Sequence, residues 1–299
     1  MANVISKGSL FPVQLINEMF NTVRGKSALA RLSASMPLSF NGNEIMTFSL
    51  DREVDLVAEN GAKSNGGGTI APVTIQPVKV EYGMRVSDEF MYAAEEYRIE
   101  IMRAFAEGFA RKAARGLDIM AFHGVNPRTG IAATQLASNN FDALVSQTVT
   151  VSANANVDVT AAISAVEAAE HDVTGMAMAP AFRTALASLT KGTSSNESLF
   201  PELAWGATPS AINGLPVDVN GTVSYGTGVV DRAIVGNFAD YFKWGYAREV
   251  PVEVIEYGNP DNDATAGDLK GHNQIYLRGE AYIGWGILDP TAFARIITQ

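Results

Sequence analysis

The sequence predicts a mixed α+β fold, and three observations carry that prediction. Strand-like and helix-like stretches follow one another without the βαβ rhythm of a doubly wound sheet. The stretch from Glu44 to Val86 reads as a long hairpin. Immediately after it, "VSDEFMYAAEEYRIEIMRAFAEGFARKAARGLDIMAFHG", Val86 to Gly124, keeps helical spacing of apolar and charged residues, with no proline before Pro127.

Each element can be justified in order. Residues 1–40 contain "PVQLINEMFNTV" and "SALARLSASMPL", separated at Gly25, which predicts an arm with one or two short helices rather than a domain. In the hairpin, "EIMTFSL" and "VTIQPVKVEYGMRV" are strand-like, and Val78, Val80, Tyr82, Met84 and Val86 alternate strictly. The tip "ENGAKSNGGG" is a flexible polar loop. Pro72 and Pro77 restrict the returning strand to an edge or a bulge, and the alternation changes phase at Gln76-Pro77 as a bulge would make it. A hairpin with a polar tip and compromised edges suits a projection awaiting a neighbour.

The long helix is expected to start at Ser87, a good N-cap, with Asp88 and Glu89 in the first turn and Arg111, Lys112 and Arg115 toward the end. Glu95/Arg98, Glu100/Arg103 and Glu107/Arg111 are spaced for ion pairs. At roughly 1.5 Å per residue the helix would be on the order of 50 Å long, more than the width of a small domain. Beyond it comes a turn-rich stretch, then a helix near Thr160–His171. "GMAMAPAFRTALASLTKG" reads as a buried strand, a helix opened by proline and a stop at Gly192. Further strands are expected at 215–219, 229–236, 250–257 and 274–284. There is no internal repeat.

Composition narrows the function classes. The chain has 299 residues, a formal charge of −10 and no cysteine. Its apolar content supports a real core. The acidity removes the electrostatic footprint of a phosphate-tracking protein, so any contact with nucleic acid is incidental. Without cysteine there are no disulfides, thiolate zinc sites or thiol nucleophiles. No apolar run is long enough for a signal peptide or for the ~20 residues of a membrane span, and the chain reads as one synthesised and folded in a cytosol.

Motifs for chemistry are weak. His123, His171 and His272 are far apart and lack ligand spacing, so they read as structural or solvent-facing. "GAKS" at 61–64 is not a phosphate loop, because Leu56 stands where its first glycine belongs. Ser188 and Lys191 fit SxxK but read as a helix end. Asp261, Asp263 and Asp268 could surround a hard cation, yet lack the terminal glutamate of a calcium loop, and read as a solvated acidic loop. No catalytic residue, cofactor or metal is expected.

The order of parts is more telling. "LVAENGAKSNGGGTIAPVTIQPVKVEYGMRVSDEFM", "LDIMAFHGVNPRTGI", "MAMAPAFRTALASL", "INGLPV", "AIVGNFADY" and "NQIYLRGEAYIGWGILDPTAFARI" follow one another collinearly. In this the chain resembles the major capsid proteins of tailed bacteriophages, the Hong Kong 97-like fold. Asn237 departs from the usual Gly-Asp-Phe triplet, which leaves the hydrogen bond of that aspartate in question.

The resemblance implies an N-terminal arm at 1–40, an extended loop at 41–86, a peripheral domain with the spine helix at 87–130 and 270–299, and an axial domain at 131–269. It implies a virion protein, assembled in the host bacterial cytoplasm, whose pentamers and hexamers enclose double-stranded DNA without sequence-specific binding. The implied partners are further copies of itself, a portal, a decoration protein and a scaffolding protein. Because the arm motif begins near Met1, the scaffold is expected to be a separate protein, or absent. In the type member a loop lysine attacks an asparagine carboxamide of an adjacent subunit with help from a glutamate; alignment places Lys63, Asn273 and Glu280 at those positions. They equally read as ordinary polar residues, since many members do not cross-link. Two other readings stay open: an encapsulin-type shell enclosing cargo enzymes, and, further off, an enzyme with an unusual constellation.

Overall fold

The computed structural model describes residues 26–92, 95–192, 195–226 and 230–298. The amphipathic stretch expected in the arm lies outside them. The described chain opens with helix α1 (Ala28–Leu32), capped by Ser27. Strands β1 (Asn43–Leu50) and β2 (Gly68–Ile75) then pair antiparallel as a two-stranded ribbon.

The expected bulge at Gln76-Pro77 is a break. Strand β3 (Val78–Ser87) leaves the ribbon and joins a different sheet. Proline at 77 cannot donate to a ladder, so the chain changes partners there. Ser87 is the last residue of β3, and Asp88–Tyr92 forms a 3-10 turn before helix α2 (Glu95–His123). The α-helix thus starts later than its capping signal suggests. Its 29 residues span about 44 Å.

Next come α3 (Phe141–Leu144), β4 (Thr148–Thr150), α4 (Ala155–Ala168), β5 (Gly175–Met178) and α5 (Pro180–Ala187), the last ending before the expected stop at Gly192. They are followed by β6 (Ala211–Ile212), β7 (Leu215–Val219), β8 (Asp231–Gly236) and α6 (Phe238–Tyr241). Strands β9 (Phe242–Ile255), β10 (Gln274–Ile287) and β11 (Phe293–Ile297) complete the chain. Two larger sheets result: an antiparallel β3-β10-β9 sheet and a mixed sheet in the order β4-β11-β8-β5-β7-β6. These pairings cut across the division expected at 269/270, because β9 belongs with β10, and β11 with β8 and β4.

Helix α2 packs one stripe against the three-stranded sheet. Met102, Phe105, Ala106, Phe109, Ala113 and Leu117 are buried at three- and four-residue spacing. The sheet makes room with Gly279, where a Cβ would stand 2.9 Å from the Phe109 ring. Gly124 closes the helix at φ 62°, its N–H donating to the Met120 carbonyl at 2.9 Å. Beyond the helix end Phe141 sits among Phe122, Phe242 and Phe293, its ring meeting that of Phe293 edge-on at 5.0 Å. A second core lies where α4 and α5 cover the mixed sheet, around Val166, Met178, Phe182 and Val235.

Candidate assembly surface and its anchors

The ribbon of β1 and β2 follows directly from its sequence. Alternation places Met46, Phe48 and Leu50 on one face, and the register sets Met46 opposite Pro72 and Phe48 opposite Ile70. In most proteins such a face is a core. Here every residue from Phe48 to Pro72 is exposed, and Phe48 and Ile70 keep 64% and 65% of their surface open. Two strands alone are marginally stable in water, and among the described residues neither ribbon edge pairs with a further strand. At the base, Ile75 is fully buried over Gly286, where a Cβ would lie 2.7 Å from it. The ribbon is therefore held at its root and bare along its length.

A second anchor fixes the start of the described chain to α2. Asp118 is completely buried and accepts from Ser27 Oγ at 2.5 Å, Ala28 N at 2.9 Å, Leu29 N at 3.3 Å, Thr222 Oγ1 at 2.9 Å and Asn220 Nδ2 at 3.3 Å. Ser27 Oγ also takes the N–H of Ala30 at 3.0 Å, so the first amides of α1 all have acceptors. Burial pushes the Asp118 carboxyl up to about 6, against the pull of its donors.

The acidic loop holds an arginine where the sequence offered a cation. Arg85, on β3, pairs with both oxygens of Asp261 at 2.8 and 2.5 Å. It also donates to Asn259 Oδ1 at 2.7 Å, Gln274 Oε1 at 3.1 Å and the carbonyls of Ala266 and Gly267. This guanidinium holds Asp261 well below the usual carboxylate range. Asp263 instead caps Thr265 N and Ala266 N. Lysine cannot reproduce the planar fork, so Arg85→Lys is expected to loosen residues 257–268. Limited proteolysis should then cut that loop at least several-fold faster than in wild type; equal rates would sink this account.

The three residues aligned with the cross-link differ in environment. Lys63 is exposed in the ribbon tip, and Asn273 is exposed in a left-handed conformation just before β10. Glu280 is 8% exposed, with Oε1 2.7 Å from Lys79 Nζ and 3.2 Å from Arg278 Nε. The Glu280 carboxylate raises the Lys79 ammonium above its ordinary value. Asn273 and Glu280 are seven positions apart, hence about 23 Å along an extended strand. The structure does not bring them together within one chain.

The other motifs settle simply. Lys191 pairs with Glu197, and Ser188 Oγ donates to the Ala185 carbonyl at the end of α5. Asn237 caps α6 as an aspartate would, its Oδ1 accepting from Asp240 N at 3.0 Å. His123, read from the sequence as structural or solvent-facing, is structural, with partners that the sequence reading did not foresee. Its ring joins Asp142, and through it Arg295 and Asp231, residues drawn from four separate segments.

Comparison with known proteins agrees with this architecture. The model of the phage capsid family matches residues 7–296. A solved chain from Mycobacterium phage Ogopogo superposes with a TM-score of 0.79 at 29% identity, covering 92% of this chain and 92% of that one. A Gordonia phage Cozz chain gives 0.74 at 24% identity, with 91% and 86% covered. A chain described as the capsid of an empty GTA particle gives 0.63 at 13% identity, with 91% and 90% covered. No curated protein sequence matches the chain.

Proposed function

As this chain belongs to the phage capsid family, we propose that it closes an icosahedral head from pentamers and hexamers around double-stranded DNA. The carrying observation is the bare apolar face of Met46, Phe48, Leu50 and Ile70 on a ribbon that the described residues anchor at its root. Such a face is stable only when covered, and a neighbouring copy provides the cover in every position of a closed lattice. The net charge of −10 suits an inner wall that must not grip phosphates during filling or release.

In this reading the ribbon is the extended loop and α2 the spine of a peripheral domain. The mixed sheet with α4 and α5 forms the bulk of the axial domain. A scaffolding protein, where one is used, a portal and a decoration protein are the partners in this proposal; assembly takes place in the bacterial cytoplasm. The chain expressed alone should give closed shells or capsomer rings in negative stain, at the mass that light scattering reports. Nuclease-protected DNA in shells from infected cells supports genome enclosure, whereas a copurifying enzyme in place of DNA supports a cargo compartment. A monodisperse monomer that stays monomeric with every coexpressed head protein overturns the proposal.

Covalent locking is a finer proposal within this reading. The separation of Asn273 and Glu280 requires that a cross-link at Lys63 take these two residues from different subunits. A desolvated carboxylate must take the ammonium proton before the amine can attack, and Glu280 already faces two cations. Boiled particles on a denaturing gel decide the matter: ladders above 31.8 kDa that vanish in Lys63→Ala support the bond, and a single band at that mass removes it.

A further inference from the structure

His123, the last residue of α2, has an acceptor at each ring nitrogen. Nε2 lies 3.0 Å from the Thr222 carbonyl oxygen and Nδ1 lies 2.9 Å from Asp142 Oδ2. A carbonyl can only accept, so Nε2 carries a proton. If Nδ1 were bare, its lone pair would face a carboxylate oxygen at hydrogen-bond distance. The contact is attractive only with a proton between the two atoms, and Asp142, held below its ordinary value in spite of its burial, leaves that proton on the ring. Below the ring, Asp142 Oδ1 and Asp231 Oδ1 are tied to Arg295 at 2.5 and 3.0 Å. The remaining oxygen of Asp231, on a side chain with no exposed surface, accepts no hydrogen bond from the described residues. Two carboxylates with one guanidinium leave a net charge of −1, and one added proton makes the cluster neutral.

We infer that the imidazolium of His123 is a pH-dependent latch, joining the C-terminal end of α2 to the segment 220–226 and, through Asp142, to the mixed sheet. Tyr225 stacks on the ring with centroids 6.1 Å apart, and Thr222 is gripped twice by the same helix, through its carbonyl at His123 and its hydroxyl at Asp118. The groups facing His123 are therefore Asp142 from α3, Asp231 from β8 and, beyond them, Arg295 from β11. A divalent ion fits the cluster by distance, since one ligand atom each of His123, Asp142 and Asp231 lies within 4.8 Å of the others. Arg295 already supplies the cation that those carboxylates need, which favours the proton.

The electrostatics point the same way. Burial lowers the His123 ring, but Asp142 outweighs it, so the ring titrates above its ordinary 6.5. Burial raises Asp231 in the same direction. Both groups bind protons more tightly folded than unfolded, so their contribution is complete below the unfolded values and is lost as pH rises through the folded ones. Asp142 works oppositely, being held below 3.8 by His123 and Arg295 in spite of its burial, and matters only in acid.

Hydrogen exchange followed by mass spectrometry on the full-length soluble protein tests the latch. Corrected for intrinsic rates, protection of peptides covering 119–126 and 219–226 should fall between pH 6 and pH 8.5, while that of 162–168 stays constant. In His123→Gln the fall should shrink at least several-fold, leaving the part that Asp231 carries, and in His123→Gln combined with Asp231→Asn it should disappear. In Asp142→Asn the midpoint should move down by about one pH unit, since the neighbouring negative charge is gone. Wild-type protection independent of pH, an unmoved midpoint in Asp142→Asn, or a pH response undiminished in His123→Gln overturns the inference. So does protection at pH 8.5 that zinc or manganese restores and a chelator removes, because the cluster would then be a metal site.

Discussion

Aspartate at both Phe48 and Ile70 is expected to abolish shell formation while leaving the subunit folded. These residues face each other across the ribbon and lie on its bare side. Covering a large apolar side chain contributes about 1.5–3 kcal/mol, and the change replaces two such contributions with the cost of desolvating two carboxylates. The loss recurs at every ribbon contact of the lattice, so it multiplies rather than merely adds. Within the subunit neither side chain is packed, and the soluble form should keep its thermal stability to within about 0.5 kcal/mol. Ser49→Asp with Thr69→Asp puts the same charge on the opposite ribbon face and should still assemble. Negative-stain microscopy and sedimentation read the outcome. Normal shells from the Phe48/Ile70 variant would mean that the apolar face is not the contact.

The second large effect is at Asp118. Asp118→Ala should cost the isolated subunit at least about 3 kcal/mol, because several buried donors lose their acceptor at about 1–3 kcal/mol each. Asp118→Asn keeps one acceptor oxygen but turns an amide N–H₂ toward N–H and O–H donors, so it should recover only part of the loss. Urea unfolding of both variants checks this, and a loss under about 1 kcal/mol for Asp118→Ala would show that water replaces the carboxylate. Because Ser27 and Thr222 both donate to Asp118, the alanine variant should also release α1 and the 220–223 turn together.

What could be read from the sequence was local. The strand-like run "EIMTFSL" and the glycine-rich tip made the ribbon visible, and helical spacing without proline made α2 visible. The break at Gln76-Pro77 looked like a bulge because the strand that captures β3 lies some 190 residues downstream, and only its presence turns a phase change into a change of partner. The helix start was misplaced for a related reason: Ser87 is a sound cap by type, but its pairing with Gln274 commits it to the sheet. Side-chain clusters were least legible. Arg85 meets Asp261 across 176 positions, and Asp118 meets Ser27 across 91. Among the histidines, His123 and His171 both owe their surroundings to carboxylates, Asp142 and Asp289, that no spacing rule connects to them.

The passage of β2 into β3 has a mechanical meaning. There is no slack loop between them: the ribbon runs through Gln76 and Pro77 into a ten-residue strand paired along its whole length with β10. Tension applied to the ribbon by a neighbour would load that ladder lengthwise, so its hydrogen bonds share the force instead of opening one at a time from an end. A wall whose subunits are strapped together in this way would yield last where an internal pressure pulls hardest, and pulling single subunits by the ribbon tip should rupture them at higher force than pulling across the β3–β10 pair.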